Sequence, residues 1–275
     1  MIDESKISFQ EIFVFHHLPK TAGSSLNQAL VEIFNPTSNF IGVNSGKQLE
    51  VEVERYLSFD EEQRKQVKCL TGHNLIELLK FFPNQKKSIF FRDPLEHLIS
   101  HYHFHSKADK NTNRIRPPLV ELDSDKIKEN LTNFALERRI HGEDKSNPNY
   151  QAQCLLYFLE QEVSDISEEI LLNCLSKFEF VGSSSLFSLS MFLLSQVLGI
   201  SEPNNLIQYH KINQTDYTKI MLDDSCRQYF RDFLHYDYFL HEYTVNKLDE
   251  TFDSICDDLD TLNIYMKFIG ERVQS

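Results

Sequence analysis

A lysine, a threonine, a glycine and two serines stand together at Lys20, Thr21, Gly23, Ser24 and Ser25, with Ala22 between them. One full positive charge, three hydroxyls and a glycine that admits close backbone approach suit the binding of a phosphate or sulfate. A second cation, Arg92, is followed by Ser100, and both side chains can donate to a further anion. Two histidines, His17 and His73, stand near such segments. Imidazole is the side chain whose ordinary pKa suits general-base work at neutral pH.

The surrounding elements must position these groups. Ile12, Phe13, Val14 and Phe15 form a short apolar run, which reads as a strand buried on both faces of a parallel sheet. Beyond the loop, Leu26, Ala29, Leu30, Ile33 and Phe34 recur at helical spacing. A strand that empties through a small-residue loop into a helix leaves unpaired N–H groups and a partial positive charge at the loop. The pattern repeats at Ser88–Phe91, with Arg92 at the strand's carboxyl end, an Asp93–Pro94 helix start, and Leu95, Leu98, Ile99 and Tyr102 as the apolar stripe. Ser100 falls on that helix's polar arc with Glu96 and His103. Cys69–Gly72 ends as a strand would, placing His73 at a crevice edge. In an open parallel sheet the carboxyl ends of strands converge on one crevice, so Lys20 and Arg92 are expected to face one ligand.

These segments carry a resemblance. FHHLPKTAGSSL resembles the 5′-phosphosulfate loop of sulfotransferases that use 3′-phosphoadenosine-5′-phosphosulfate (PAPS), in the branch of the heparan sulfate 2-O and 6-O enzymes and related bacterial proteins. RDPLEHLISHY resembles their 3′-phosphate motif, with Arg92 and Ser100 at the two contact positions. LTGHN at 70–74, NYQAQCLL at 149–156, FEFVGSSSLFSLSMFLL at 178–194, HKINQ at 210–214 and DYFLHEY at 237–243 are weaker echoes of the same family. His97 stands where the family commonly has a second arginine, and apart from NYQAQCLL the acceptor-binding region, roughly 106–170, matches no family pattern.

The resemblance implies sulfuryl transfer from PAPS, with PAP (3′,5′-ADP) as the nucleotide product and no metal. The acceptor would be a hydroxyl, on a carbohydrate first and on a lipid or small molecule second. Lys20 would neutralise charge on the departing 5′-phosphate oxygen, backbone N–H groups at Gly23, Ser24 and Ser25 would cradle that phosphate, and Thr21 and Ala22 would line it. His73 is the expected base. His17 is the runner-up, with a role in orienting the loop as its competing reading. Two rivals are a catalytically silent PAP or sulfated-glycan binding protein and a P-loop kinase. The kinase lacks its Walker spacing here, because Lys20 precedes Gly23.

Composition bounds the rest. With 275 residues and 41% hydrophobic content, the chain suits one α/β domain over 1–275, a three-layer P-loop-like fold with a central parallel sheet and a helical C-terminal region. A net charge of −13 argues against a nucleic-acid partner. No apolar run suits a membrane span and the N-terminus lacks signal features, so a cytoplasmic protein is expected. The oligomeric state does not follow from the sequence. Five scattered cysteines read as reduced buried thiols, so the sequons at Asn130 and Asn213 carry little weight. His97, His101 and His105 form one helical stripe, read as a crevice-lining or solvated face before a metal site. Residues 45–66 read as charged helix, Ile127–Ile140 as a helix ending in Arg138 and Arg139, and Ser184 as the cap of a helix to Leu198.

Overall fold

A computed structural model describes residues 8, 10–34, 40–43, 46–108, 116–138, 147–161, 166–200, 220, 222–256 and 265. They gather into two compact units, one drawn from 1–91, 173–212 and 244–275, the other from 92–172 and 213–243.

The first unit is built on a parallel sheet of five strands. These are β1 (Ile12–His16), β2 (Phe40–Val43), β3 (Cys69–Gly72), β4 (Gln85–Phe91) and β5 (Phe180–Ser183), in the order β2-β3-β1-β4-β5. The central position of β1 explains its composition, since a strand covered on both faces gains from apolar residues at every position. All five of its residues are buried. Phe13 and Phe15 enter a core with Leu26, Ala29 and Leu30 of α1 (Gly23–Phe34), and with Phe192 of a later helix. Ile12 and Val14 enter a second core with Ile41, Leu70 and Tyr56. The latter includes side chains from α2 (Gly46–Ser58), which precedes the charged α3 (Glu61–Gln66) and the short α4 (Ile76–Leu79).

Helices make the second unit. It begins with Arg92 and α5 (Pro94–Ala108) and continues through α6 (Ser124–Glu137) and α7 (Tyr150–Phe158). Asp93 accepts from the Glu96 N–H at 2.9 Å and so caps α5, as the Asp–Pro pair predicts. The stripe Leu95, Leu98, Ile99 and Tyr102 is buried with Leu131, Phe134 and Phe230.

The chain passes from the second unit to the first within α8 (Glu168–Leu175), and α9 (Phe187–Val197) follows β5. Two helices, α10 (Asp224–Phe233) and α11 (His235–Cys256), close the described chain, the latter crossing from the second unit into the first. Two boundaries differ from expectation. Ser184 does not cap α9, because its N–H extends the β5–β4 pairing to the Phe91 carbonyl at 2.8 Å and the helix opens only at Phe187. The helix expected over Ile127–Ile140 starts earlier, at Ser124 behind an Asp123 cap, and Arg138 at its end has extended backbone. Arg139, Asn213 and HKINQ lie outside the described residues. Cys69, Cys154, Cys174 and Cys226 are free and buried. Among the described residues, no helix is long and apolar enough to cross a membrane.

Candidate active site

The loop after β1 is held by strain and by one internal bond. His17 N–H donates to the Gly72 carbonyl at 3.0 Å, carrying the β1–β3 pairing one residue past the strand. The chain then turns, and Thr21 Oγ1 donates to the Leu18 carbonyl at 2.9 Å, which buries Thr21. Lys20 and Ala22 both adopt left-handed backbone, with φ of 70° and 64°. Each such non-glycine residue costs roughly 1–2 kcal/mol. Two of them in one loop mark backbone held against its own preference, a state that clusters at ligand sites. Left-handed residues interleaved in this way curl the chain into the concavity in which backbone N–H groups cradle anions.

α1 opens directly after this loop. The N–H groups of Ser25 and Leu26 both donate to the Ala22 carbonyl, at 3.1 and 3.2 Å. Those of Gly23 and Ser24, in the first turn, have no carbonyl within the helix to bond. Of the three N–H groups expected to cradle a phosphate, Ser25's is therefore already engaged, and Gly23 and Ser24 form the open end of the helix dipole. The Ser24 side chain is exposed and that of Ser25 buried.

Gly23 is required by space. A Cβ there would lie 1.6 Å from Nε2 of His17, so the imidazole lies directly against the glycine. Gly23→Ala is expected to push that ring aside, destabilising the fold by about 1–3 kcal/mol. Thermal denaturation checks the effect.

His17 and His73 meet just past the carboxyl ends of β1 and β3, neighbours in the sheet. Their ring centroids are 4.1 Å apart, and His73 Nδ1 lies 2.6 Å from the His17 carbonyl oxygen. A carbonyl only accepts, so Nδ1 of His73 carries the proton and Nε2 presents its lone pair. Gly72 makes this placement possible. A Cβ there would fall 2.0 Å from the Val43 carbonyl oxygen, the same oxygen that accepts the His73 N–H at 3.0 Å. Burial lowers the His73 pKa, partly offset by its bond to the His17 carbonyl. Burial also holds His17 well below the usual imidazole range, aided by His73 and Lys20. His73 is half-buried and His17 buried, so His73 is the better placed of the two to reach an incoming group.

These shifts fix the sign of the pH response. A base held neutral below the usual imidazole pKa keeps activity on a plateau down to lower pH, so an acid limb of kcat/KM below pH 6.5 is the expected mark of His73 acting as a base. Stability runs with it. His16, at the end of β1, is lowered by burial to about 3. Unfolding lets His16 and His17 take up protons, so folding stability is fully present above pH 6.5 and is lost as pH falls toward about 3. The slope is on the order of 1 kcal/mol per pH unit for each group. Denaturant melts at pH 7, 5 and 4 measure it.

Arg92 follows directly on β4, the sheet neighbour of β1. In the second unit its guanidinium pairs with Glu96 Oε2 at 3.2 Å, while Asp93 serves as the helix cap. Ser100, on the same helix, is buried, unlike the exposed Glu96.

The histidine stripe of α5 turns inward. His97 is fully buried and stacks on Tyr150 at 5.7 Å, and His101 meets the same ring edge-on at 5.1 Å. The solvated-face reading is thereby corrected for these two, which join an aromatic core. Among the described residues, no three His, Cys, Asp or Glu side chains are grouped to hold a metal.

Asn149, Gln151 and Asp237 were not singled out in the sequence. NYQAQCLL and DYFLHEY stood out only as weak echoes, and nothing in either segment says where an amide or a carboxylate points.

No family model and no curated protein matches the sequence. Among solved structures, a sulfotransferase from Alicyclobacillus acidocaldarius is similar with a TM-score of 0.45 and 12% identity, covering 86% of this chain and 96% of that one.

Proposed function

We propose that this protein transfers a sulfuryl group from PAPS to an acceptor hydroxyl, first of all on a carbohydrate. The observation that carries the reading is the strained Lys20–Ala22 loop, opening a helix beside a paired His17 and His73 just past the carboxyl ends of β1 and β3. On this reading the whole chain acts as one sulfotransferase domain.

PAPS supplies an activated sulfuryl group next to a 5′-phosphate. The N–H groups of Gly23 and Ser24, with the hydroxyls of Ser24 and Ser25, hold that phosphate, and Thr21 and Ala22 shape the turn around it. Lys20 places its ammonium against the oxygen on which negative charge grows, the preorganised electrostatics that dominate in-line group transfer. His73 Nε2 takes the proton of the acceptor hydroxyl while its Nδ1–H stays on the His17 carbonyl. His17 fixes the ring and the glycine beneath it. Arg92 and Ser100 receive the 3′-phosphate of the same nucleotide.

Incubation with ³⁵S-labelled PAPS and a panel of glycans, lipids and phenols tests the reaction, alongside calorimetric titration with 3′,5′-ADP. Label transferred to an acceptor supports it. A protein that binds 3′,5′-ADP and transfers nothing across the panel is a silent binding protein, and one that ignores the nucleotide is neither.

A further inference from the structure

The second unit holds the backbone of Arg92 by an unusual device. The Arg92 N–H donates to Gln151 Oε1 at 2.9 Å, and Gln151 Nε2 donates to the Arg92 carbonyl at 2.9 Å. One carboxamide thus satisfies both backbone groups of the residue that follows β4, as a neighbouring strand would. Gln151 is wholly buried, so its amide is committed to this pairing.

Gln151 is itself anchored. Its N–H donates to Asp237 Oδ2 at 3.2 Å and that of Ala152 to Asp237 Oδ1 at 2.8 Å, so a carboxylate from α11 caps the first turn of α7. Asn149 returns the arrangement, its Oδ1 accepting from the N–H groups of Tyr236 and Asp237 at 2.9 and 3.2 Å. Two helix starts therefore cap each other, and their shared product is a fixed Gln151 amide. Asp237 is buried. Its surroundings include Arg138, whose Nη2 donates to the Pro148 carbonyl at 2.7 Å.

We propose that Gln151, anchored by Asp237, is a positioning residue that aims Arg92 at the 3′-phosphate of the nucleotide. The inference rests on the PAPS reading and adds to it the source of the arginine's orientation. The Arg92 side chain is long, and its ion pair with the exposed Glu96 is of a kind too weak to fix one direction by itself, which leaves freedom in how the guanidinium is presented. Clamping both backbone groups of Arg92 removes the main-chain part of that freedom and leaves a side chain that can exchange Glu96 for phosphate.

The test compares 3′,5′-ADP with 5′-AMP, which lacks the 3′-phosphate, by titration of the full-length protein. Gln151→Met, similar in size but unable to donate or accept in this way, is expected to weaken 3′,5′-ADP about 10-fold or more and 5′-AMP less than about 2-fold, the size of one or two lost charge-orienting bonds. In an Arg92→Ala background the same substitution should add nothing. Asp237→Asn, which keeps an acceptor at the α7 start, should show the same selective loss at smaller size and stands in where Gln151→Met does not fold. Equal weakening of the two nucleotides, or an undiminished effect without Arg92, overturns the clamp. A wild-type protein indifferent to the 3′-phosphate overturns the PAPS reading, and the clamp falls with it. A wild type that prefers 3′,5′-ADP, with variants that keep the full preference, overturns the clamp alone.

Discussion

His73→Ala is expected to lower kcat by about 10²–10⁴-fold, the usual contribution of a positioned general base, while the affinity for 3′,5′-ADP stays within about 2-fold. The reason lies in the tautomer. With Nδ1–H committed to the His17 carbonyl at 2.6 Å, the only basic nitrogen of His73 is Nε2. Burial keeps that nitrogen unprotonated near neutrality. His17→Ala gives the complementary result. His17 lies against Gly23 and offers its carbonyl to His73 through a main chain that alanine retains, so its loss should disturb the phosphate loop and raise KM more than it lowers kcat. Steady-state kinetics with an identified acceptor separate the two. If His17→Ala abolishes kcat while His73→Ala spares it, the roles are reversed.

Lys20→Gly separates charge from strain. Lys20 has a φ of 70°, which glycine adopts freely. The substitution should leave the melting temperature unchanged or raise it, since relieved strain of roughly 1 kcal/mol offsets the unfolded-state entropy of glycine. Turnover should nevertheless fall about 10²–10³-fold, the cost of removing one preorganised group from a developing charge. Lys20→Ala should lose the same activity without the gain in stability, because alanine inherits the strained backbone. Equal activity in Lys20→Gly and wild type would show that the ammonium takes no part in the reaction. Paired thermal melts and ³⁵S-transfer rates read both halves of the prediction.

The loop between β1 and α1 was legible because its signals are local. Apolar residues at consecutive positions before Lys20, and at helical spacing after Gly23, mark a strand and a helix whatever surrounds them, and the structure has β1 and α1 there. The same holds for β4, the Asp93 cap and the inward stripe of α5. Ser184 was misread because a serine before an apolar run looks like a cap until a neighbouring strand claims its N–H. β2 went unseen because four residues of modest pattern become a strand only by pairing with β3.

His97 and His101 show the limit on the site. Their spacing places them on one helix face, but only Tyr150, far along the chain, turns that face into a core. By itself, then, the sequence determined the small-residue loop between β1 and α1, the strand-to-helix units on either side of it, and that Lys20 follows β1 and Arg92 follows β4, because these depend on residues within a few positions of one another. Tertiary structure alone decided that His73 is tethered to His17 through its Nδ1, that the His17 ring occupies the space above Gly23, and that Asp237 caps the start of α7 from which Gln151 grips the Arg92 backbone. The His17–Gly23 contact is local but depends on how the loop turns, whereas the others join residues tens of positions apart, with partners chosen by strand order and helix docking, which no local pattern encodes.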